Sequence, residues 1–448
     1  MRKKNAVHTL ILFFISLAMI LTYISCSIGF SDPYEYSYKW MYDETHHWHS
    51  AYDYPGKTKD KGLHEFFGGR CMECGYKKGY RVSGNFQVSP DGLVSLIDEN
   101  LCTGDITIPS SINGTVVKKI GSNFCRETKP ERITIPGSVE YISSDAFPFG
   151  CSIIFAEGTT AIPDGLLSSR AYGITSVTIP DSVTSIGKNA FRYSSLTSII
   201  IGNSVTSIGS DAFSYCDKLE TVYVSSLSSW LGISFGSLES NPLYYAKKLY
   251  VGGKLLAGEI TIPDSVTSIG SYAFHGCSEL TSISIPDSVK EIGYGAFSNC
   301  VNLDAVYVSS LSSWLGISFG SVDSNPLCYA KKLYVGGELL AGDITIPSSV
   351  TSIGSYAFYG CTGLTSITIP DSVNEISYGA FYDCTDLTSV TIPYSVTKIG
   401  NYAFRYCSSL TSINYTGTRS QWNSISKASG WRDNVPAGVV IHCTDDDM

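Results

Sequence analysis

The stretch LTSITIPDSVNEISYGAFYDCTD, residues 364–386, is followed at once by LTSVTIPYSVTKIGNYAFRYCSS, residues 387–409. The two units have the same length, and Leu, Ile, Pro, Val, Ala, Phe and Cys recur at nearly the same places in both. A fixed period of this length is the signature of a solenoid, in which each repeat forms one coil that stacks on the next. The sequence therefore predicts a stack of short coils rather than one closed globular core.

The apolar residues of one unit assign a place to each part of the coil. Leu364, Ile367 and Ile369 form the apolar face of a short strand. Pro370 ends this strand, because a proline nitrogen has no hydrogen to donate to a sheet. The apolar residues that follow, up to Phe381, close the coil. No single coil can bury this face alone, so we expect stability to come from stacking.

A glycine follows the isoleucine of the return segment in most units. These glycines are Gly270, Gly293, Gly354 and Gly400. Glycine adopts backbone angles that other residues avoid. We therefore expect each of them to form a corner with such angles.

Most cysteines beyond the N-terminal segments occupy one place in the repeat. They are Cys216, Cys277, Cys300, Cys361, Cys384 and Cys407. A fixed place in a stacked coil fits a small buried apolar residue better than a disulfide or a catalytic group. A second set lies off this register or near the array ends, namely Cys102, Cys125, Cys151, Cys328 and Cys443. An exported protein could pair some of these, but their spacing does not say which.

Further copies of the unit upstream give the array its limits. They begin at Gly104, Glu131, Ile153, Ile174 and Leu196. The first of them is lengthened and more polar, as a capping coil should be. The predicted solenoid covers residues 85–416, and residues 417–448 are predicted to cap it.

A longer period is superimposed on the short one. The stretch VYVSSLSSWLGISFG occurs in each of two inserts, residues 219–258 and residues 303–342. We interpret each insert as a strand, a short helix that carries a tryptophan, a loop and another strand. The tryptophans Trp230, Trp314 and Trp422 are predicted to pack onto the core rather than to hold a cofactor.

The N-terminus has the layout of an export signal. Basic residues precede an apolar run, and residues 1–25 are predicted to be a signal peptide. An uncleaved membrane anchor is the alternative, although the run is short for a spanning helix. The residues before Cys26 resemble a bacterial lipobox, which predicts lipidation of Cys26; a plain cleavage site is the alternative. Residues 26–42 are predicted to be a linker.

Residues 43–80 differ in composition from the rest and hold four of the seven histidines. Cys71 and Cys74 have the Cys-x-x-Cys spacing, which lets two thiolates take adjacent corners of a zinc tetrahedron. Two such cysteines are half of a zinc-ribbon ligand set. The candidate ligands of a structural zinc are His47, His64, Cys71 and Cys74, with His49 as an alternative to His47. A disulfide between the two cysteines and an unliganded segment are the other interpretations. No other cofactor is required.

Composition and residue pattern exclude several classes of function. The formal net charge is −9 and no basic run offers a phosphate backbone a place to bind, so a nucleic-acid partner is not expected. The repeats contain no carboxylate pair, no nucleophile beside a base and no phosphate-binding loop. We therefore do not predict an enzyme. A metal-dependent hydrolase would be the best enzymatic alternative.

The pattern L-x-x-I-x-I-P-x-S-V-x-x-I-G-x-x-A-F-x-x-C resembles the BspA-type leucine-rich repeat over about residues 85–448. The resemblance implies a β-rich α/β solenoid with short strands on one face and turns or short helical segments on the other, here with a small N-terminal His/Cys module. It also implies an exported, cell-surface protein that binds ligands or adheres. Some members bind matrix proteins such as fibronectin and fibrinogen. Membrane association would come only from the signal or a lipid anchor.

The strand side chains that point away from the core form a column of Thr, Ser and Tyr. Tyr223 with Tyr250, and Tyr307 with Tyr334, make two aromatic places in this column, one in each insert. Tyrosine is enriched at binding surfaces, so we expect these four residues to contact an extracellular protein or glycan, with host matrix proteins among the candidates. Alternatively, Thr and Tyr simply suit exposed strands, and the array is a passive spacer.

Overall fold

The computed structural model describes residues 38–42, 46–51, 58–63, 66–67, 70–71, 81–83, 85–96, 102–125, 128, 130–168 and 173–445. These residues form two compact units. The first unit holds the chain up to Ile199 together with Ala212–Lys218. The second holds Ile200–Asp211 and the chain from Leu219 onward. Each unit is a β-solenoid of leucine-rich repeat coils.

The first unit begins with antiparallel strands. They are β1 (Tyr38–Tyr42), β2 (His46–Ala51), β3 (Thr58–Leu63), β4 (Phe66–Phe67), β5 (Arg70–Cys71), β6 (Arg81–Ser83), β7 (Phe86–Val88) and β8 (Leu93–Leu96). Strands β1, β2 and β3 form one sheet, and β4 with β5 forms a hairpin. The meander β6–β7–β8 leads into the coils, because β8 is the first of these strands to pair in parallel with a coil strand.

The coils of the first unit follow. Their strands are β9 (Gly104–Thr107), β10 (Ser111–Ile112), β11 (Thr115–Val116), β12 (Lys119–Ile120), β13 (Pro130–Ile135), β14 (Tyr141–Ile142), β15 (Cys151–Phe155), β16 (Ala161–Ile162), β17 (Ile174–Thr178) and β18 (Ser185–Ile186), with β19 (Ser198–Ile201) at the boundary of the unit. The longer strands β9, β13, β15 and β17 pair in parallel in this order. Each coil thus adds one front strand to a parallel ladder.

The second unit contains the remaining strands. They are β20 (Ser207–Ile208), β21 (Thr221–Val224), β22 (Ser234–Phe235), β23 (Leu249–Val251), β24 (Lys254–Leu255), β25 (Gly258–Thr261), β26 (Ser268–Ile269), β27 (Leu280–Ile285), β28 (Glu291–Ile292), β29 (Ala305–Val308), β30 (Ser318–Phe319), β31 (Leu333–Val335), β32 (Glu338–Leu339), β33 (Gly342–Thr345), β34 (Leu364–Thr368), β35 (Glu375–Ile376), β36 (Ser389–Ile392), β37 (Lys398–Ile399), β38 (Ser412–Tyr415), β39 (Ser426–Lys427) and β40 (Val440–His442). Short helices occur in the inserts and near the C-terminus: α1 (Leu227–Leu231), α2 (Leu243–Ala246), α3 (Leu311–Leu315), α4 (Leu327–Ala330) and α5 (Arg419–Ser424), with 3-10 turns at Leu238–Ser240 and Val322–Ser324.

The front strands of the second unit form successive ladders. Strands β21 and β23 pair in parallel and end in the antiparallel hairpin strand β24. A new ladder then runs β25–β27–β29–β31 and ends in the hairpin strand β32. The last runs β33–β34–β36–β38–β40. The short strands form a second sheet behind each of the later ladders, β26–β28–β30 and β35–β37–β39.

The core follows the repeat pattern. In β34, Leu364 and Ile367 are buried while the threonines between and after them are exposed, which is the alternation of a strand with one face on the core. Phe358, Phe381 and Phe404 stack in successive coils with ring centroids 5.0 and 5.1 Å apart. Each fully buried side chain of this size contributes about 1.5–3 kcal/mol. The stacking predicted from the sequence is therefore confirmed.

The repeat glycines do not form corners with unusual backbone angles, so this prediction was wrong. None of Gly270, Gly293, Gly354 and Gly400 has a positive φ. A Cβ at Gly293 would instead lie 2.5 Å from the Ser271 nitrogen, and one at Gly400 would lie 2.7 Å from the Ser377 carbonyl carbon. At these two places glycine is therefore needed because the backbone of the neighbouring coil passes so close. The left-handed corner lies two residues further on, for example at Tyr402.

The tryptophans of the inserts are buried, as predicted. Trp230 and Trp314 are fully buried, and their indole N–H groups donate to the carbonyl oxygens of Ala273 and Ala357, at 2.8 and 2.7 Å. Where we expected a loop, each insert instead forms a 3-10 turn and a further helical turn. In the first insert the Asn241 side chain stabilises the helical turn, since it accepts from the Leu243 N–H at the start of α2.

Candidate functional site

The four predicted contact tyrosines lie on adjacent front strands of the second unit. Tyr223 on β21 stands opposite Tyr250 on β23, and Tyr307 on β29 stands opposite Tyr334 on β31. Parallel strands lie about 4.8 Å apart, so residues in register bring their rings face to face. The ring centroids are 4.9 Å apart in the first pair and 4.7 Å apart in the second. We call these the tyrosine pairs.

Both tyrosine pairs are accessible. All four tyrosines are partly buried and partly open to solvent, and the ring planes within each pair are inclined by 27° and 22°. Next to the second pair the column is small and polar: the register continues from Tyr307 through Ser284 to Thr261. The pairs therefore supply four aromatic rings to a column that otherwise presents mostly hydroxyl side chains, together with the exposed Ile200.

An exposed leucine stands next to each pair, and sequence reasoning missed it. Leu255 lies opposite Tyr250 across the β23–β24 hairpin, and Leu339 lies opposite Tyr334 across the β31–β32 hairpin. The signal was present in the sequence as Val-Gly-Gly at the turn. Gly252 has a positive φ, as does the glycine after it, which is the backbone of a tight hairpin turn. Each pair thus extends into an apolar strip of two tyrosines and one leucine.

The charges near the second pair are balanced. The Lys332 ammonium donates to both carboxylate oxygens of Asp304 at 2.9 Å. This hydrogen bond, with the charge of Asp304, raises the pKa of Lys332. These two charges near the tyrosine pair therefore compensate each other.

The repeated cysteines are buried, which confirms the interpretation of the column. Within the second unit, the thiols of Cys300, Cys384 and Cys407 donate to a phenylalanine carbonyl oxygen of the preceding coil at 3.0–3.1 Å. Burial raises the pKa of Cys407 to about 12 and that of Cys277 to about 12. A thiol with such a pKa is not a nucleophile at neutral pH. The column is structural.

One of the open cysteine pairings is settled within the first unit. Cys102 and Cys125 form a disulfide, with Cα atoms 5.9 Å apart. It joins the residues just before β9 to the turn that follows β12. Cys151, which could also have paired, is instead buried in β15, and burial raises its pKa to about 12.

The structure describes only part of the predicted zinc site, and the predicted lipidation site lies outside the described residues. Cys26, His64 and Cys74 lie outside the described residues. The backbones of His47 in β2 and Cys71 in β5 are described, but their side chains are not. Among the side chains that are described, no group of three or more His, Cys, Asp and Glu is arranged to hold a metal ion. In the same part of the chain, no helix has the length and apolar character needed to cross a bilayer.

Comparisons with known proteins agree with this architecture. The family described as the BspA type leucine rich repeat region matches residues 118–237, 254–321 and 339–429, in six copies. These segments make up more than half of the chain. No curated protein sequence matches the chain.

Several solved structures are similar. A leucine rich cell surface protein from Faecalibacterium prausnitzii is 26% identical over 78% of this chain and 98% of that chain, with a TM-score of 0.30. A leucine-rich repeat protein from Bacteroides ovatus is 22% identical over 81% of this chain and 97% of its own, with a TM-score of 0.38. The pneumococcal vaccine antigen PcpA is 14% identical over 92% of this chain and 99% of its own, with a TM-score of 0.30. On the strength of the matched repeats, the chain belongs to the BspA-type leucine-rich repeat family.

Proposed function

We propose that the protein is exported to the cell surface and binds an extracellular protein through the front strands of its second unit. The observation that carries this proposal is the pair of apolar strips formed by Tyr223 with Tyr250 and by Tyr307 with Tyr334. Family membership supports the coarser statement, a binding or adhesion role at a bacterial surface. Host matrix proteins, which the resemblance suggested, are the candidate partners.

Tyrosine suits this role for a physical reason. Each ring offers a large contact area, and only two side-chain torsions need to be fixed on binding. Stacking against its partner already restricts each ring, which lowers the entropy cost further. Because the same strip occurs twice in one unit, two weak contacts to one partner would reinforce each other. A glycan is the alternative occupant of the same strips.

Catalysis is not part of this proposal. Leucine-rich repeat proteins are typically binding scaffolds, and the buried, weakly acidic thiols offer no nucleophile. A passive spacer remains the rival function. It predicts that changing the tyrosine pairs has no effect on any partner.

The test measures binding of the full-length chain to immobilised fibronectin and fibrinogen. Replacing the four tyrosines by serine should weaken binding by about tenfold or more, because buried aromatic anchors dominate most interfaces. A matched control replaces Thr345, Thr368 and Thr391 by serine; these three residues lie in the corresponding column of the last ladder and carry no ring. The control should bind within about twofold of the wild type. Binding that survives loss of the tyrosines, or no binding by the wild type, would favour the spacer.

Two further predictions concern the N-terminal segments. Mass spectrometry of the mature N-terminus would test export and lipidation, since lipidated Cys26 would be the new first residue. A structural zinc at His47, His64, Cys71 and Cys74 would appear as one zinc per chain in elemental analysis. Replacing both cysteines by serine should remove that zinc.

A further inference from the structure

The sequence Ala-Phe-Arg-Tyr occurs once in each unit, in the turn that follows the short strand of a coil. The two copies are residues 190–193 in the first unit and residues 403–406 in the second. In both copies the alanine and phenylalanine are buried in the core. The arginine and tyrosine lie at the surface, away from the front strands. We call each copy, with the tyrosines around its arginine, an arginine–tyrosine station.

The station in the second unit surrounds one guanidinium with three rings. The Arg405 Cζ lies 4.5 Å from the ring centroid of Tyr402, 4.9 Å from that of Tyr406 and 5.9 Å from that of Tyr382. Its Nη2 donates to the Tyr406 hydroxyl at 3.3 Å. The ring of Tyr406 is exposed. These contacts hold the guanidinium in one orientation at the surface.

The station in the first unit has the same chemistry. The Arg192 Cζ lies 4.9 Å from the ring centroid of Tyr193 and 5.5 Å from that of Tyr215, which belongs to the next coil. The two rings are nearly parallel, with centroids 4.5 Å apart. Tyr193 is 40% exposed and Tyr215 is 48% exposed. A flat aromatic surface beside a cation is therefore open to solvent here too.

Both guanidinium groups carry uncompensated charge. Neither Arg192 nor Arg405 pairs with a carboxylate among the residues that the structure describes. Other surface cations of the array do pair: Arg132 binds Asp105 at 2.8 Å, for example. The Nε atom of each arginine is buried without a partner, so an anion from outside would meet the two terminal nitrogens, Nη1 and Nη2.

The tyrosines of the stations occupy a costly backbone conformation. Tyr193, Tyr215 and Tyr406 have φ of 60°, 59° and 63°, in the left-handed region that costs a residue with a Cβ about 1–2 kcal/mol. Other coils fill the same place with residues that tolerate it better, such as Gly276 and Asn299. The fold therefore does not need tyrosine there. Strain that the fold does not require points to a function for the ring.

From this geometry we infer that the arginine–tyrosine stations bind carboxylate-bearing sugars, such as the uronic-acid residues of an acidic polysaccharide. An aromatic face stacks on the C–H face of a pyranose ring, and a guanidinium receives a carboxylate through two parallel hydrogen bonds. Each station offers one free positive charge, which matches one carboxylate per sugar rather than a densely sulfated chain. This inference does not depend on the tyrosine pairs of the front strands.

The test titrates the full-length chain with a hyaluronan hexasaccharide, in which every second sugar carries a carboxylate, and with chitohexaose, a neutral oligosaccharide of the same length. Isothermal titration calorimetry at low salt should give an affinity for the hyaluronan hexasaccharide at least about tenfold higher. Replacing both Arg192 and Arg405 by glutamine should remove this preference. Arg132→Gln, which breaks a paired surface arginine, is the matched control and should keep it.

A second set of variants separates ring contacts from folding. Replacing Tyr193, Tyr215 and Tyr406 by asparagine removes the rings but keeps a residue that tolerates positive φ. The thermal midpoint should therefore not fall, while binding of the hyaluronan hexasaccharide is lost. Equal affinity for the two oligosaccharides, no binding by the wild type, or full binding by the double arginine variant would each overturn the inference. So would a loss of binding caused only by the front-strand tyrosine variants.

Discussion

The second unit contains two copies of an insert followed by a coil. The two copies have the same core, but the residues beside that core differ. Trp230 and Trp314 occupy the same place and make the same hydrogen bond. Beside this core, Tyr244 stacks on the buried His275 in the first copy, with ring centroids 5.7 Å apart. In the second copy Tyr359 stands where His275 does and stacks on Tyr382 of the next coil. Packing keeps the core residues the same in both copies. The residues beside the core differ between the copies, and so do the contacts they make.

The charges beside these residues differ as well. In the second copy the Lys331 ammonium lies 4.7 Å from the centroid of the Tyr359 ring and 2.9 Å from an Asp383 carboxylate oxygen. In the first copy Lys247 occupies the place of Lys331, and Asn299 occupies the place of Asp383. The first copy therefore has a cation near His275 and no acid at the matching place.

The backbones of the two copies also pack differently. The Gly270 N–H donates to the Leu231 carbonyl oxygen at 3.0 Å, and a Cβ on Gly270 would lie 2.8 Å from the Ile233 oxygen. At Gly354, the matching residue, the nearest atom to such a Cβ is the Ile317 oxygen at 3.6 Å. The second coil thus lies further from its insert, although the stretch SVTSIGSYAF is identical in both.

The largest expected effect tests whether the two cores are equivalent. Trp230→Ala and Trp314→Ala should each lower the free energy of unfolding by about 3–5 kcal/mol, because each removes a fully buried ring. Urea unfolding measures the change. Phenylalanine at either place is the control and should cost less, since it loses the indole hydrogen bond but keeps an apolar ring. Clearly unequal losses at the two sites would contradict the equivalence.

A smaller effect should separate the two glycines. Gly270→Ala should destabilise the protein by about 1–3 kcal/mol, because the new methyl group collides with backbone oxygen atoms. Gly354→Ala should change stability by less than about 0.5 kcal/mol, since its methyl group would make only ordinary van der Waals contacts and alanine restricts the unfolded chain. Urea unfolding of both variants is the measurement. Equal destabilisation would mean that the two coils pack alike.

The histidine of the first copy should make stability depend on pH. Burial, with a further contribution from Lys247, lowers the pKa of His275, while Asp323 opposes this. Below about pH 6.5 the unfolded chain binds a proton that the folded chain does not, so stability falls as the pH decreases through this range. The free energy of unfolding should fall by at most about 1.4 kcal/mol per pH unit, which is the value for the uptake of one proton.

Replacing His275 by tyrosine, as in the second copy, isolates this contribution. The difference in unfolding free energy between about pH 7.5 and about pH 5.5 should be smaller in the variant than in the wild type. The reciprocal change, Tyr359→His, is the matched variant at the other site. If His275→Tyr leaves the pH dependence unchanged, the folded histidine is not held neutral.

The smallest expected effect concerns the ion pair. Asp383→Asn should cost about 0.2–1 kcal/mol, because Lys331 and Asp383 are partly exposed. Asn299→Asp should stabilise the first copy by a similar amount by giving Lys247 a carboxylate at the matching place. Both changes should shrink in high salt. A change that does not depend on salt would indicate a packing effect instead.

The repeat core could be predicted from the sequence because its signal is local and periodic. Leu364, Ile367 and Phe381 recur at fixed places, so the coil, its buried face and the buried thiols follow from the period alone. The same period brings Tyr223 and Tyr250 into register. Their role in binding stays a prediction.

Contacts between coils could not be predicted in this way. The collision that requires glycine at Gly293 comes from Ser271 of the preceding coil, and nothing near Gly293 in the sequence reports it. The pairing of Cys102 with Cys125 depends on how the first coil turns. Likewise, tyrosine in left-handed conformation at Tyr193 runs against its ordinary preference. In the first two cases the deciding atoms lie far along the chain from the residue concerned. In the third, the tyrosine is explained by its proposed role at the surface and not by the backbone preference.

The hairpins that end the front ladders have a consequence for how the array could change length. The β25–β32 segment begins a ladder with Gly258 and ends it with a hairpin after β31. It is therefore a cassette whose front-strand ladder is a sheet of its own, and its junctions fall at equivalent hairpins. Removing or duplicating this cassette would join one hairpin to the start of an equivalent ladder, so recombination could lengthen or shorten the protein without leaving an unpaired strand.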